Sequence, residues 1–210
     1  QYKRDLSVDR KLIGLEQILW IKNNINKKFK WSIIGQQVLM AQVYLPSIFA
    51  NMNKKVLPDY LHKYLKLGGA NVPYNTDAWD GYPQERERLF KELKKANSIL
   101  VLTGDTHNSW LNNLYDKNNN FVGIEIGTPA ISSPNTIDTF GSLTDGIEQG
   151  FIKENKNVKW TEGKHKGYTL LKLTNDKSEV NFVYVNTVKS KTYEVIDTNK
   201  FNVKPNLPII

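Results

Sequence analysis

Cysteine is absent from the 210-residue chain, which excludes disulfides, thiolate catalysis and zinc–thiolate sites while leaving the compartment open. No apolar run is long enough to cross a bilayer, so no transmembrane segment is expected. The start of the chain also lacks the basic region, apolar core and small-residue cleavage site of an export signal. It opens on Gln1 rather than Met, an opening expected of a processed product or a fragment more than of an intact cytosolic chain. The glycines of the later turn-rich segments are too dispersed to make a phosphate-binding fingerprint. Ser132 and Ser133 have no neighbouring His and carboxylate signature, which disfavours a serine hydrolase. Internal functional repeats are missing as well.

Hydrophobic residues make up 40% of the chain and aromatics 11%. That is too much apolar material for a disordered chain, and the length suits one domain or a large piece of one. The formal net charge of +8 is unevenly placed: residues 1–66 carry twelve Lys or Arg against four Asp or Glu, and the remainder carries seventeen of each. Such a bias suits an anionic partner near the first segment. Lys scattered among Asn, without an Arg cluster or aromatic interleaving, reads instead as a solvated face, and no specific nucleic-acid recognition is expected.

The run Ser98-Ile-Leu-Val-Leu-Thr-Gly-Asp-Thr-His107 concentrates the chemistry. Ile99 to Leu102 are branched and continuously apolar, as in a strand buried on both faces. Gly104 then permits a close turn or an unusual backbone angle before Asp105. Asp105 offers carboxylate oxygens and His107 an imidazole nitrogen, a pair suited to a metal that activates water or polarises a phosphoryl oxygen. Read without context, the same residues also suit an Asp capping a turn and a His satisfied by backbone hydrogen bonds.

Leu12, Leu15, Ile18 and Leu19 recur at helical spacing opposite Lys11, Glu16 and Lys22, and predict a surface helix over 11–22. Trp31 to Ile34 read as a short strand leading into Gln36 and Gln37, which either orient a ligand or hydrogen-bond a seam. Residues 41–78, broken by Pro46, Pro58, Gly68, Gly69 and Pro73, read as a long insertion that lines a pocket or covers a sheet edge. A helix over 85–97 follows, with Leu89, Phe90, Leu93 and Ala96 inward. Arg86 and Arg88 on it are expected in surface salt bridges. Ser109 to Leu111 suggest a buried turn or short helix, 121–126 a strand, and 167–174 with 180–186 an antiparallel pair. A strand, a return helix and a buried strand imply a layered α/β organisation.

The order Trp31-Ser-Ile-Ile-Gly-Gln-Gln-Val-Leu-Met40, Asp77-Ala-Trp-Asp-Gly-Tyr-Pro-Gln-Glu-Arg86 and Leu102-Thr-Gly-Asp-Thr-His-Asn-Ser-Trp110 resembles the C-terminal half of PhoD-like alkaline phosphatases and phosphodiesterases. Ile124-Glu-Ile-Gly-Thr-Pro-Ala-Ile-Ser-Ser-Pro134 and His165-Lys-Gly-Tyr168 extend the likeness, which runs from about Leu12 to Val195. The fold this implies is α/β, part of a four-layer α/β/β/α metallophosphoesterase sandwich with peripheral helices. Residues 1–210 would be the C-terminal portion of one domain and 41–78 its pocket-lining insertion. The family's upstream half normally brings a metal-ligand strand end, a bridging Asp and an Asn or Asp near the phosphate, and none of these is recognisable here.

By the same resemblance Asp105 and His107 match metal-ligand positions and are the catalytic pair. The wider superfamily commonly has His where Asp105 stands, so a harder, oxygen-rich binuclear centre is implied. Iron with calcium is the family's pair, and ligand softness also admits manganese or another divalent metal. Trp79, Asp80 and Tyr82 are expected to line the substrate pocket or position its loop, unless the loop is purely structural. Gln36, Gln37 and Asn108 are expected to support the ligands from behind. The function implied is metal-dependent hydrolysis of phosphate mono- or diesters, with this chain completed by its upstream half in cis or as a separate chain. The alternative is a noncatalytic fragment or a binding or structural module that keeps the fold. A periplasmic, secreted or cell-surface setting goes with the resemblance.

Overall fold

The computed structural model describes residues 8–210 apart from 55, 56, 58, 60 and 61. The run Ser32–Gly35 forms strand β1, and the apolar run Ile99–Thr103 forms β2, parallel to it with Ser32 opposite Ile99. Strands β3 (Ser109–Tyr115), β4 (Phe121–Gly127) and β5 (Val158–Glu162) complete a mixed sheet in the order β1-β2-β4-β3-β5. The pairings of β1, β2 and β4 are parallel, and those of β4, β3 and β5 are antiparallel. Strands β6 (Lys166–Leu173), β7 (Ser178–Val185) and β8 (Val195–Val203) form a second, antiparallel sheet.

Alternation along each strand sorts the side chains into two cores. Leu100, Leu111, Ile124 and Ile126 of the first sheet meet Val180, Phe182, Tyr184 and Val203 of the second. On the other face of the first sheet, Ile99, Val101, Trp110 and Leu114 pack against Leu89, Phe90 and Leu93 of one helix and Ile147 and Phe151 of another. The helices, in chain order, are α1 (Gly14–Asn24), α2 (His62–Leu65), α3 (Pro83–Leu93), α4 (Thr136–Phe140) and α5 (Thr144–Glu154). Three layers are thus laid down by the described residues. Of the expected fourth they give no helix, and Tyr168 and Leu170 on the outer face of β6 are 46% and 53% exposed.

The expected helix over 11–22 starts later and faces differently. The Glu85 carboxylate of α3 accepts hydrogen bonds from the N–H groups of Leu12, Ile13 and Gly14, serving as the cap that α1 lacks in its own sequence. Ile18 is buried, Ile21 and Ile25 pack against the helix-side core, and Leu15 and Leu19 point to solvent at 62% and 43% exposure. Ser109 to Leu111 belong to a seven-residue strand rather than to a turn or short helix. Asn112 and Asn113 obscured it in sequence. Both are buried: the Asn112 amide nitrogen donates to Glu125 at 2.8 Å while its oxygen has no hydrogen-bond partner among the described residues, and Asn113 exchanges bonds with the Ile209 backbone at 2.8 and 2.9 Å. Among the described residues of 41–78, Val43, Leu45, Phe49 and Ala78 pack into the helix-side core.

Candidate functional site

Strands β1, β2 and β4 are parallel, so their carboxyl ends gather on one side of the sheet, where open α/β folds place their ligand crevices. A cleft of about 560 Å³ opens there. Gln37, Asp105, Thr128 and Thr169 give it polar groups, and Leu102, Ile126 and Leu171 its apolar surface. Its walls are cross-tied: Gly104 N–H donates to Gln37 O at 3.0 Å, and Thr128 N–H to Thr103 O at 2.9 Å. The Thr169 and Thr128 hydroxyls meet at 3.1 Å, joining the second sheet to the first.

The turn after β2 carries its unusual angles on the two candidate ligands and not on the glycine. Asp105 and His107 have φ of 66° and 65°. Gly104 is absent from the positive-φ positions, and a Cβ on it would meet nothing nearer than 3.9 Å. Thr106 N–H donates back to Gly104 O at 2.8 Å, which makes Asp105 the centre of a three-residue turn of the rarer, strained hand. Two left-handed non-glycine residues within three positions represent roughly 1–3 kcal/mol each of local strain, the kind that accumulates at functional sites.

That strain is held by a second loop, residues 128–136. The His107 Nδ1–H donates to Pro134 O at 2.6 Å, which leaves Nε2 as the unprotonated nitrogen of the neutral ring. Ala130 N–H donates to His107 O at 3.2 Å. Asn108, 5% exposed, donates to the Thr136 hydroxyl at 2.7 Å and accepts the Thr136 N–H at 3.2 Å. Asn135 caps α4 in a reciprocal box with Asp138, so the carbonyl that orients His107 sits at a fixed helix entrance. Asp105 is exposed, and its carboxylate has no hydrogen-bond or ion-pair partner among the described residues.

A metal fits these two groups but is not fully held by them. The free Asp105 carboxylate, which lines the cleft, and the Nε2 of His107 two residues on, which is not among the lining residues, offer oxygen and nitrogen lone pairs of the kind a hard or borderline cation takes. Among the described residues, however, no three His, Cys, Asp or Glu side chains converge as a metal-binding group.

The other sequence candidates lie at different depths. The Gln36 amide oxygen accepts from Trp79 Nε1 and Val38 N–H, both at 3.1 Å, and its nitrogen donates to Val38 O, so Gln36 braces the turn. The Gln37 side chain is exposed beside Asp105 with no partner among the described residues. Trp79 is 1% exposed and supports Gln36 from beneath. Asp80 accepts from Val43 N–H at 2.8 Å and Arg86 Nη1 at 2.7 Å. Burial raises its carboxyl above the ordinary range against the pull of that guanidinium. Arg86, expected in a surface salt bridge, is buried with Asp80 and also donates to Met40 O at 3.1 Å. Tyr82 stands at the entrance of α3 with the Arg10 guanidinium 5.9 Å from its ring centre, away from the cleft lining. Gly81 admits no side chain, since a Cβ there would lie 1.8 Å from Thr76 O.

Glu125 of β4 carried no signal in sequence, being one acidic residue in an apolar strand. Fully buried, it accepts the N–H groups of Met40 and Ala41 and the Asn112 amide. Burial pushes its carboxyl up to about 7 despite those donors. Together Glu125 and the Asp80–Arg86 pair clamp residues 40–43, the segment that leaves the Gln36–Gln37 turn.

The family model for PhoD-like phosphatases matches residues 1–182. Alkaline phosphatase D of Bacillus subtilis (strain 168) is 32% identical over 175 residues, which are 79% of this chain and 25% of that protein. A solved structure described as that of PhoD superposes with a TM-score of 0.68 at 24% identity, covering 93% of this chain and 34% of the solved one. The chain therefore spans about a quarter of the curated relative and about a third of the solved chain.

Proposed function

The chain belongs to the PhoD-like phosphatase family, and from that premise we propose that it supplies part of a metal-dependent centre hydrolysing phosphate mono- or diesters. The observation that carries this reading is the pairing of Asp105, free in the cleft, with His107, whose Nδ1–H is committed to Pro134 O so that Nε2 is left for a ligand. When bound, a binuclear iron–calcium centre, or one with manganese, supplies Lewis acidity and a nucleophilic water at neutral pH. Asp105 and His107 hold that centre and form no covalent intermediate. Gln37 and Thr128 line the same cleft as donors for phosphoryl oxygens, and the strained turn fixes both ligands without waiting for the metal. The remaining ligands come from further polypeptide, in cis or as a separate chain. Secretion to the periplasm, exterior or cell surface goes with this function, and no helix among the described residues is long and apolar enough to cross a membrane.

The lack of a three-residue ligand group among the described residues favours a second reading for the chain on its own, a noncatalytic module. One experiment separates the two. The 210-residue chain, alone and joined to the remainder of the family domain, is assayed on p-nitrophenyl phosphate and bis(p-nitrophenyl) phosphate, with iron, calcium and manganese measured in the same samples. Metal and turnover are expected in the joined protein only. Asp105→Asn or His107→Ala there should lower metal content and turnover together with far-UV circular dichroism unchanged, and equal metal content in those variants would refute the assignment.

A further inference from the structure

Strand β1 closes one edge of the first sheet, and nothing among the described residues pairs with its outer side. Ser32 N–H donates to Ser98 O at 3.2 Å and Gln36 N–H to Leu102 O at 3.0 Å. By alternation, Ser32, Ile34 and Gln36 face β2, and Ile33 and Gly35 turn their N–H and C=O groups to the open side. A free edge of this kind is a template for another strand.

The side chains around it are those of an interior. Ile33 lies opposite Leu100 on the face that the second sheet covers elsewhere, yet Ile33 is 45% exposed and Leu100 is 1% exposed. Trp20 and Phe29, 66% and 59% exposed, line a groove of about 260 Å³ that also includes Ile33. The stretch of chain that carries the edge is also one-signed. No Asp or Glu occurs from Gln17 to Pro58, whereas Lys22, Lys27, Lys28 and Lys30 flank the edge.

We propose that the β1 edge docks an extended polypeptide segment, apolar on both faces and flanked by acidic side chains, drawn from polypeptide beyond these 210 residues. Two-thirds of the solved relative's chain lies outside the matched region, so a fold of this kind has such polypeptide to offer. The occupant's acidic flanks answer the lysines, and its apolar side chains cover Ile33, Trp20 and Phe29.

The test needs neither metal nor turnover, so its failure is separate from failure of the phosphatase reading. Amide hydrogen exchange is followed in the 210-residue chain with a synthetic peptide of branched apolar residues ending in aspartates, and with a twin ending in lysines. The acidic peptide should slow exchange at Ile33 and Gly35 about tenfold, a difference of about 1.4 kcal/mol, and leave the already bonded Ser32 and Ile34 unchanged. The lysine twin should give no protection. Ile33→Lys should abolish the effect. So should Gly35→Pro, which removes an outward N–H at a position where a Cβ meets nothing within 4 Å. Unchanged exchange at millimolar peptide would overturn the proposal. Protection of Ile33 and Gly35 that rises with protein concentration, with a dimer in ultracentrifugation and no peptide, would overturn it too by assigning the edge to a second copy.

Discussion

Replacing Glu125 by Gln should change how stability depends on pH more than it changes stability at any one pH. The Glu125 carboxyl is raised from 4.5 to about 7, with burial as the largest cause. A group whose folded value lies above its unfolded one contributes stability that is complete below the unfolded value and is lost as pH rises through the folded one. The window is therefore pH 4.5 to 7, and at about 1.4 kcal/mol per pH unit it spans ~3 kcal/mol. Other carboxyls move the opposite way, among them Asp116, lowered by Lys94 and Asn120 against the effect of burial, and Asp138, lowered by Lys166. Raw stability curves mix these contributions. The difference between the natural chain and Glu125→Gln cancels them, because Gln does not titrate and the other groups remain. Urea unfolding followed by tryptophan fluorescence at steps between pH 4 and 8 measures that difference. The natural chain should lose about 3 kcal/mol relative to the variant across the window. A constant offset would mean that the Met40, Ala41 and Asn112 donors cancel burial, and a difference that grows with pH would mean that they outweigh it; either result refutes the reasoning.

Asp80→Ala leaves the Arg86 guanidinium, 7% exposed at its side chain, without its counter-charge and Val43 N–H without its acceptor. The expected loss is about 3–5 kcal/mol in urea unfolding, and Asp80→Ala combined with Arg86→Met should recover part of it. Asp105→Gly should stabilise the chain by about 1 kcal/mol, because glycine adopts the φ of 66° without strain. A higher thermal midpoint together with lower metal content in the completed domain would place function and strain on the same residue.

The strained turn and its supports explain why a bare Gly-Asp-x-His motif is weak in sequence and informative in three dimensions. Asp105 contributes a free carboxylate, but the His107 ring acquires a defined tautomer only through Pro134, a residue in another loop. That loop is fixed through Asn108, Thr136 and the Asn135–Asp138 box. Apart from Asn108, these partners lie well beyond the pair they position along the chain, Pro134 being 27 residues from His107.

Local pattern determined much of this protein. A branched apolar run without alternation marked β2, short apolar stretches marked β1 and β4, amphipathic spacing and an early proline marked α3, and the small-residue turn after β2 marked the candidate ligands. These features depend on near neighbours and on side-chain periodicity, which sequence carries directly. Tertiary structure decided the rest. Strand β3 keeps two asparagines inside because Glu125 of the neighbouring strand accepts the Asn112 amide and the Ile209 backbone, 96 residues on, pairs with Asn113. Strand β8, with Asp197, Thr198, Asn199 and Lys200 in its middle, pairs along β7 although its composition is that of a loop. The inward face of α1 turned on Glu85 reaching from α3 to set where the helix begins. Arg86 became an interior group because Asp80 lies 2.7 Å away. For the asparagines, α1 and Arg86 the deciding energy is the cost of leaving a buried polar group unpaired, and that cost is settled by a partner outside the local repeat, from six residues away for Asp80 to 96 for Ile209, which no local pattern can name.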